Sequence, residues 1–277
     1  MALPNFIVIG AAKSGTTSLW HYLISHPDIY MSEIKETNYF SNDLMNRNNP
    51  IKTMDDYESL FKGKENYKQL GEVSNSYLTY AEDVAPRIKK AIPECKIIVI
   101  LRHPVDRLYS RYWHAVRDQY IKESFLEFSS STKSVEKISK KLKVYWDLFG
   151  VEKVKVIFLE ELENDIKKFS KDLFSFLDIN LINLQGSHLN QSGSTRSKLF
   201  NDFILNGSSL VRSPAKILPP KYRAKFREYI KRLNTKSKPK IDSVLKESLE
   251  NYYEEDIKIL ESCVGRLPDS WLKRLRG

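Results

Sequence analysis

The feature that most constrains the fold is the apolar run Phe6 to Ile9, which ends at Gly10 and opens into Ala11-Ala12-Lys13-Ser14-Gly15-Thr16-Thr17-Ser18. A short run without polar alternation reads as a strand buried on both faces, which belongs in a parallel sheet covered by helices. Thr17 to Ser25 is then helical, with Leu19, Tyr22 and Leu23 on one face. The same grammar recurs. Leu70 to Val73, Lys96 to Leu101 and Val154 to Leu159 read as strands. Val84 to Ile92, Pro104 to Arg117, Val135 to Phe149 and Lys167 to Leu177 read as helices, the last with Phe169, Leu173, Phe176 and Leu177 inward. Pro104 suits a first helical position, where a missing N–H costs nothing. Alternating strands and helices predict an α/β fold with a central parallel sheet flanked by helices. Beyond Asn190 helix dominates: a basic amphipathic stretch, Tyr222 to Leu233, and a long helix carrying Leu245, Leu249, Tyr252, Ile257 and Leu260. With no repeat or low-complexity linker, the expectation is one domain over 1–277, with an α/β core over 1–190 and a helical region over 191–277.

Composition narrows the class. A hydrophobic content of 41% suits a packed domain. The net charge of +10 resides in one place: Val211 to Lys240 holds eleven Lys or Arg against Glu228, and the rest balances. That distribution argues against a general nucleic-acid binder and makes segment 211–240 a local question. The longest aliphatic run, Ile97 to Leu101, is far too short to span a membrane. The start, Met-Ala-Leu-Pro-Asn, has neither a basic n-region nor a cleavage site, so no signal peptide is expected. Two cysteines, Cys95 and Cys263, exclude a disulfide framework, and together these features predict a cytoplasmic protein.

The loop Gly10 to Ser18 has the chemistry of an anion cradle. Small residues let backbone N–H groups converge, and the helix N-terminus adds partial positive charge. Lys13 supplies a full charge, and Thr16 and Thr17 supply hydroxyls. A plain strand-to-helix turn capped by Ser14 or Thr16 would explain Gly15, but not Lys13 beside the threonine pair. The spacing approaches the phosphate loop of nucleotide triphosphatases and departs from it: Thr16 stands directly after the second Gly, where those enzymes place Lys. No strand ends in an Asp suited to magnesium, so an ATP-dependent phosphotransferase is the weaker alternative. A non-catalytic polyanion-binding module built on 211–240 is a further one.

A second anion site follows the strand Ile97 to Leu101. Arg102 stands at its carboxyl end, the edge where open α/β sheets bind ligands, and Ser110 lies two turns into the next helix. Arginine offers phosphate two parallel donors, and a serine hydroxyl can complete the site. The plainer account pairs Arg102 with Asp106 as a helix cap.

Together, Gly10 to Ser18 and Arg102 with Ser110 resemble the sulfotransferases that use 3′-phosphoadenosine 5′-phosphosulfate (PAPS), in particular the heparan-sulfate-like and bacterial carbohydrate branch. The resemblance continues through Lys35-Glu36-Thr37-Asn38-Tyr39-Phe40, Gly71-Glu72-Val73-Ser74-Asn75-Ser76-Tyr77, the loop Asn190 to Ser197 and the Asn251 to Leu260 segment. It implies a P-loop-like three-layer fold and PAPS as co-substrate, with 3′,5′-adenosine bisphosphate as product and no metal. It implies that Lys13, Ser14, Gly15, Thr16, Thr17 and Ser18 hold the 5′-phosphosulfate, and Arg102, Ser110 and Arg196 the 3′-phosphate. Glu36 becomes the candidate base that takes the acceptor proton, with Lys13 stabilising charge on the leaving oxygen. The plainer account of Glu36 is a surface carboxylate paired with Lys35. Among the histidines, His21 lies in the first helix and His103 beside Arg102, and neither outranks Glu36. Where heparan-sulfate enzymes often carry a Lys after the Glu of the second segment, this chain has Val73, a departure that bears on the acceptor. The acceptor expected is a hydroxyl or amine, preferably on a carbohydrate, with an anionic glycan or lipid attracted by 211–240 and peripheral membrane contact through it.

Overall fold

The computed structural model describes residues 2–45, 48–118, 120–131, 136–182, 194–195, 235–236 and 239–276. The basic amphipathic stretch Tyr222 to Leu233, Arg196 and nearly all of 211–240 lie outside the described residues.

Five strands form one parallel sheet in the order β2-β3-β1-β4-β5. They are β1 (Phe6–Val8), β2 (Ile29–Met31), β3 (Gln69–Val73), β4 (Lys96–Leu101) and β5 (Val154–Phe158). The strand β2 was not expected from the sequence; its residues Ile29, Tyr30 and Met31 are too few to show a period. In β1 and β4 successive side chains enter opposite cores. Ile7, Ile97 and Val99 face one, with α4 (Ala81–Ala91), α7 (Ile138–Phe149) and α10 (Ser243–Val264). Phe6, Val8, Ile98 and Ile100 face the other, with α1 (Thr16–Ile24), α8 (Leu159–Asn164) and α9 (Ile166–Phe176). This is the helix–sheet–helix layering expected. The remaining helices are α2 (Met54–Ser59), α3 (Ser76–Thr79), α5 (Pro104–Arg117), α6 (Phe125–Ser130) and α11 (Asp269–Arg276), with a 3₁₀ turn at Tyr39–Leu44. A two-residue antiparallel pair, β6 (Ser194–Thr195) and β7 (Thr235–Lys236), completes the strands described.

Three details differ from the sequence expectation. On α9 Phe174 joins the core at 1% exposure, and Phe176 packs against it only partly buried. On α10 Tyr253 is buried while its neighbour Tyr252 is exposed, a one-residue shift in phase. The helix α7 begins at Ile138, the expected start Val135 lying outside the described residues, and Asp256 of α10 caps it from outside: the buried carboxylate accepts from Ile138 N at 2.9 Å, Ser139 N at 3.0 Å and Ser139 Oγ. The glycine of the Gly71-Glu72 pair is a packing requirement. A Cβ there would lie 2.1 Å from the Phe6 ring, which crosses it in register from β1.

Candidate active site

Strand ends gather the quoted motifs on one edge. The carboxyl ends of β1, β2, β3 and β4 lead respectively into Gly10 to Gly15, Ser32 to Glu36, Ser74 to Ser76, and Arg102. Backbone bonds tie these segments together: Ala11 N–H donates to Ile100 at 2.8 Å, Ser74 N–H to Val8 at 3.0 Å, Leu78 N–H to Ile9 at 2.9 Å and Glu36 N–H to Val73 at 3.0 Å.

The first loop turns on a left-handed Gly15, φ 93°, whose missing Cβ avoids Leu159 Cδ1 at 2.6 Å. Gly15 is itself the N-cap of α1. Neither Ser14 nor Thr16 caps the helix by its side chain, so the plainer account of those residues is overturned. The first turn of α1 also carries no acidic residue. Its N–H groups are therefore left for an exogenous acceptor. Ser14 is fully buried and its hydroxyl has no hydrogen-bond partner. An orphaned hydroxyl beside an uncapped N-terminus fits a phosphate or sulfate group. Lys13 itself is in the left-handed region, φ 68°. Burial, aided by the positive charge of Arg117, holds its pKa down at about 8 from the ordinary 10.5; Arg102 and Lys35 push the same way, and Asp118 opposes. Lys13 thus lies among cations from three other segments, a concentration that an anion would relieve.

Arg102 does not pair with Asp106. That carboxylate is taken by Arg274 of α11 at 3.0 Å, which leaves Arg102 without an ion pair among the described residues. Ser110, on α5, is buried at 3% exposure. His103 is buried against Trp271, ring centroids 5.3 Å apart and nearly perpendicular, and burial lowers its pKa to about 3. It is a neutral packing residue.

Glu36 sits in the left-handed region, φ 66°. Its carboxylate does pair with Lys35, at 3.1 Å, but that is half of its environment. Asn75 donates to it twice, from backbone N to Oε2 at 2.9 Å and from Nδ2 to Oε1. Two of the resembling segments thereby meet at one carboxylate. Beside this turn lies a cavity of about 710 Å³, lined by Tyr39, Asn42, Asn49, Lys52, Arg87 and Lys90 among others. Sequence reasoning missed Asn75, Arg117 and Asp118. Asn75 lay inside a quoted segment with nothing to distinguish it, and Arg117 and Asp118 become neighbours of Lys13 only through the path of α5.

An uncapped helix N-terminus after β1 and, on the same sheet edge, an arginine after β4 without an ion pair among the described residues are the arrangement of a P-loop-like transferase. A model of the sulfotransferase domain matches residues 3–253, and the chain belongs to that family. The family's reaction is sulfuryl transfer, with PAPS as co-substrate. A sulfotransferase from Alicyclobacillus acidocaldarius is 28% identical, with a TM-score of 0.71, over 98% of this chain and 99% of that one. A Dictyostelium discoideum protein described as the membrane-associated sulfotransferase kil1 is 39% identical over 118 residues, 42% of this chain and 24% of its own length. The human bifunctional heparan sulfate N-deacetylase/N-sulfotransferase 3 is 37% identical over 114 residues, 40% of this chain and 13% of its own length. The matched stretch therefore spans under a quarter of these two relatives. Among the described residues no helix is long and apolar enough to cross a membrane.

Proposed function

We propose that this chain transfers the sulfuryl group of PAPS to a hydroxyl or amine of a carbohydrate acceptor. The acceptor atom forms the new bond to sulfur, the bond from sulfur to the 5′-phosphate oxygen breaks, and 3′,5′-adenosine bisphosphate leaves. Glu36 takes the acceptor's proton, and Lys13 meets the negative charge growing on the leaving oxygen. Ser14, Gly15, Thr16, Thr17 and Ser18 hold the phosphosulfate end. Arg102 and Ser110, with Arg196, hold the 3′-phosphate. The observation that carries this reading is the placement of an uncapped α1 and the cation-crowded Lys13 on the edge that also bears Arg102 and Glu36.

The carbohydrate acceptor is supported by the heparan sulfate relatives and by the cavity lined by Tyr39 and Phe40 of the segment that follows Glu36. Lys52 and Lys90 on its rim form no ion pair among the described residues, so an acidic glycan suits it better than a neutral one. The basic segment 211–240 adds long-range attraction for the same acceptor or for an anionic membrane surface. A single domain over the whole chain fits the family match, and the free thiols of buried Cys95 and exposed Cys263 favour a reducing, cytoplasmic setting.

Labelled PAPS offered with glycan, lipid and phenolic acceptors tests the reaction. Glu36→Ala should abolish transfer while the bisphosphate product binds as before. Loss of binding together with transfer would make Glu36 a structural residue, and binding of ATP with magnesium but not of the bisphosphate would move the chain to the kinases.

A further inference from the structure

Glu72 is fully buried at the centre of β3, an expensive place for a carboxyl group. Burial pushes its pKa up, and hydrogen bonds from four hydroxyls pull it back. The direction of each bond is informative. Tyr57 OH and Tyr77 OH donate to Oε1 at 2.7 and 2.9 Å, and Thr37 Oγ1 and Ser74 Oγ donate to Oε2, the latter at 2.9 Å. Each hydroxyl has one proton, and here it is spent on Glu72. The lone pairs of Ser74 and Tyr77 are then free to accept. Ser74 Oγ accepts the backbone N–H of Asn38 at 3.0 Å, and Tyr77 OH accepts that of Phe40 at 3.3 Å. Thr37 is held by its own hydroxyl, and Tyr39 by stacking on the Tyr57 ring, centroids 4.7 Å apart at 16°. Residues 37 to 40 are thus fixed through one carboxyl group.

The segment needs fixing. Glu36 and Asn38 both have positive φ, 66° and 50°, a backbone state that costs energy for residues other than glycine. Such a turn persists where its surroundings over-determine it. Asn75 and Val73 hold Glu36 directly, and the Glu72 relay holds the residues that follow.

We propose that Glu72 is a positioning residue: through the hydroxyls of Thr37, Ser74, Tyr57 and Tyr77 it sets the strained turn that carries Glu36. It touches neither donor nor acceptor. The proposal rests on Glu36 being the base for its consequence in turnover, and on geometry alone for its consequence in structure.

Glu72→Gln replaces one carboxylate oxygen by an NH₂ donor, so the hydroxyls on that oxygen must turn and the acceptor for Asn38 (through Oε2) or for Phe40 (through Oε1) is lost. Amide hydrogen exchange of the full chain is the first readout. Exchange at Asn38 or at Phe40 should speed up at least tenfold, while Ile7 and Ile98 of the central strands stay protected. Ser74→Ala should release Asn38 alone, and Tyr77→Phe should release Phe40 alone. Unchanged protection of both amides in Glu72→Gln, or equal loss across β1 and β4, overturns the relay. The second readout is transfer from labelled PAPS to a hexuronic acid–glucosamine octasaccharide. Glu72→Gln should lower kcat at least tenfold with bisphosphate affinity within twofold of the parent, and Glu72→Asp should recover part of it. A fall in bisphosphate affinity with kcat preserved in Glu72→Gln overturns action through Glu36. Failure of the parent chain to bind the bisphosphate would remove the sulfotransferase reading, and the exchange pattern would still decide the relay.

Discussion

Asn75 holds both oxygens of the Glu36 carboxylate, one by its backbone N–H at 2.9 Å and the other by its side-chain amide. A carboxylate so held keeps its direction. Asn75→Ala removes the side-chain donor and keeps the backbone one. The expected result is a fall in kcat of about tenfold, the cost of one charge-assisted hydrogen bond. Affinity for the bisphosphate should not change. A fall in affinity with kcat preserved would place Asn75 in the donor site instead.

Lys13 gives a pH signature. Its folded pKa of about 8 lies below the ordinary 10.5, so the unfolded chain binds the extra proton between those values. Stability of the ligand-free protein should therefore rise with pH across that window, and the penalty for burying the ammonium is fully present below pH 8. Lys13→Met should raise the ligand-free Tm at pH 7 by about 3 °C, an advantage that fades as pH climbs from 8 towards 10. With saturating bisphosphate the order should reverse, because only the parent gains from the anion. Melting curves at several pH values, with and without the bisphosphate, check both halves.

Arg274 occupies Asp106 and so keeps that carboxylate from Arg102 one helical turn away. Arg274→Ala should weaken bisphosphate binding severalfold without any contact to the ligand being lost. The double variant Arg274→Ala, Asp106→Asn should recover it. Arg102→Ala should weaken binding of the 3′-phosphorylated nucleotide at least tenfold and leave adenosine 5′-phosphosulfate nearly unaffected. Calorimetry on the four proteins decides the matter; equal losses for both nucleotides would detach Arg102 from the 3′-phosphate.

Asp256 tests how the C-terminal helix supports the sheet. Its carboxylate is buried, and removing it strands two backbone N–H groups and the Ser139 hydroxyl at the start of α7. Asp256→Ala should cost about 3 kcal/mol in urea unfolding, more than an exposed cap. Asp256→Asn, which retains one acceptor oxygen, should cost less. Bisphosphate affinity at temperatures where the variant is folded should stay as in the parent.

The sheet was legible because burial on both faces leaves the apolar runs of β1, β4 and β5 no competing reading. So was the strand-to-helix loop Gly10 to Gly15, whose left-handed Gly15 the junction requires. The proposed base was legible only through resemblance: nothing local marks Glu36, whose left-handed backbone is held from outside by Val73 and Asn75. Tyr57 could not have been connected to it. It comes from a helix recognisable only by its Thr53 cap, and reaches Glu72 through tertiary packing. Likewise Arg117 stands too far along α5 for spacing to bring it to Lys13. Helix phase failed where aromatic neighbours compete, as at Tyr252 and Tyr253, since either residue completes an apolar stripe and packing chooses.

The cavity beside the Glu36 turn yields the prediction that bears on the acceptor. Its rim carries Lys52 and Lys90, without ion pairs among the described residues, and Arg87 is already clamped by Asp43 and by the Phe40 carbonyl. Two free ammonium groups there attract an anionic unit of a chain whose reacting unit lies at Glu36. Lys52→Glu with Lys90→Glu should raise KM for a hexuronic acid–glucosamine octasaccharide about tenfold at low salt, with kcat and bisphosphate affinity unchanged. A disaccharide, too short to reach both places, should show no difference between parent and variant. The effect should shrink as salt is added, because exposed charges are screened over about 10 Å at 0.1 M. Equal KM increases for both acceptors would mean that the substitutions disturb the Glu36 turn and that the long acceptor runs elsewhere.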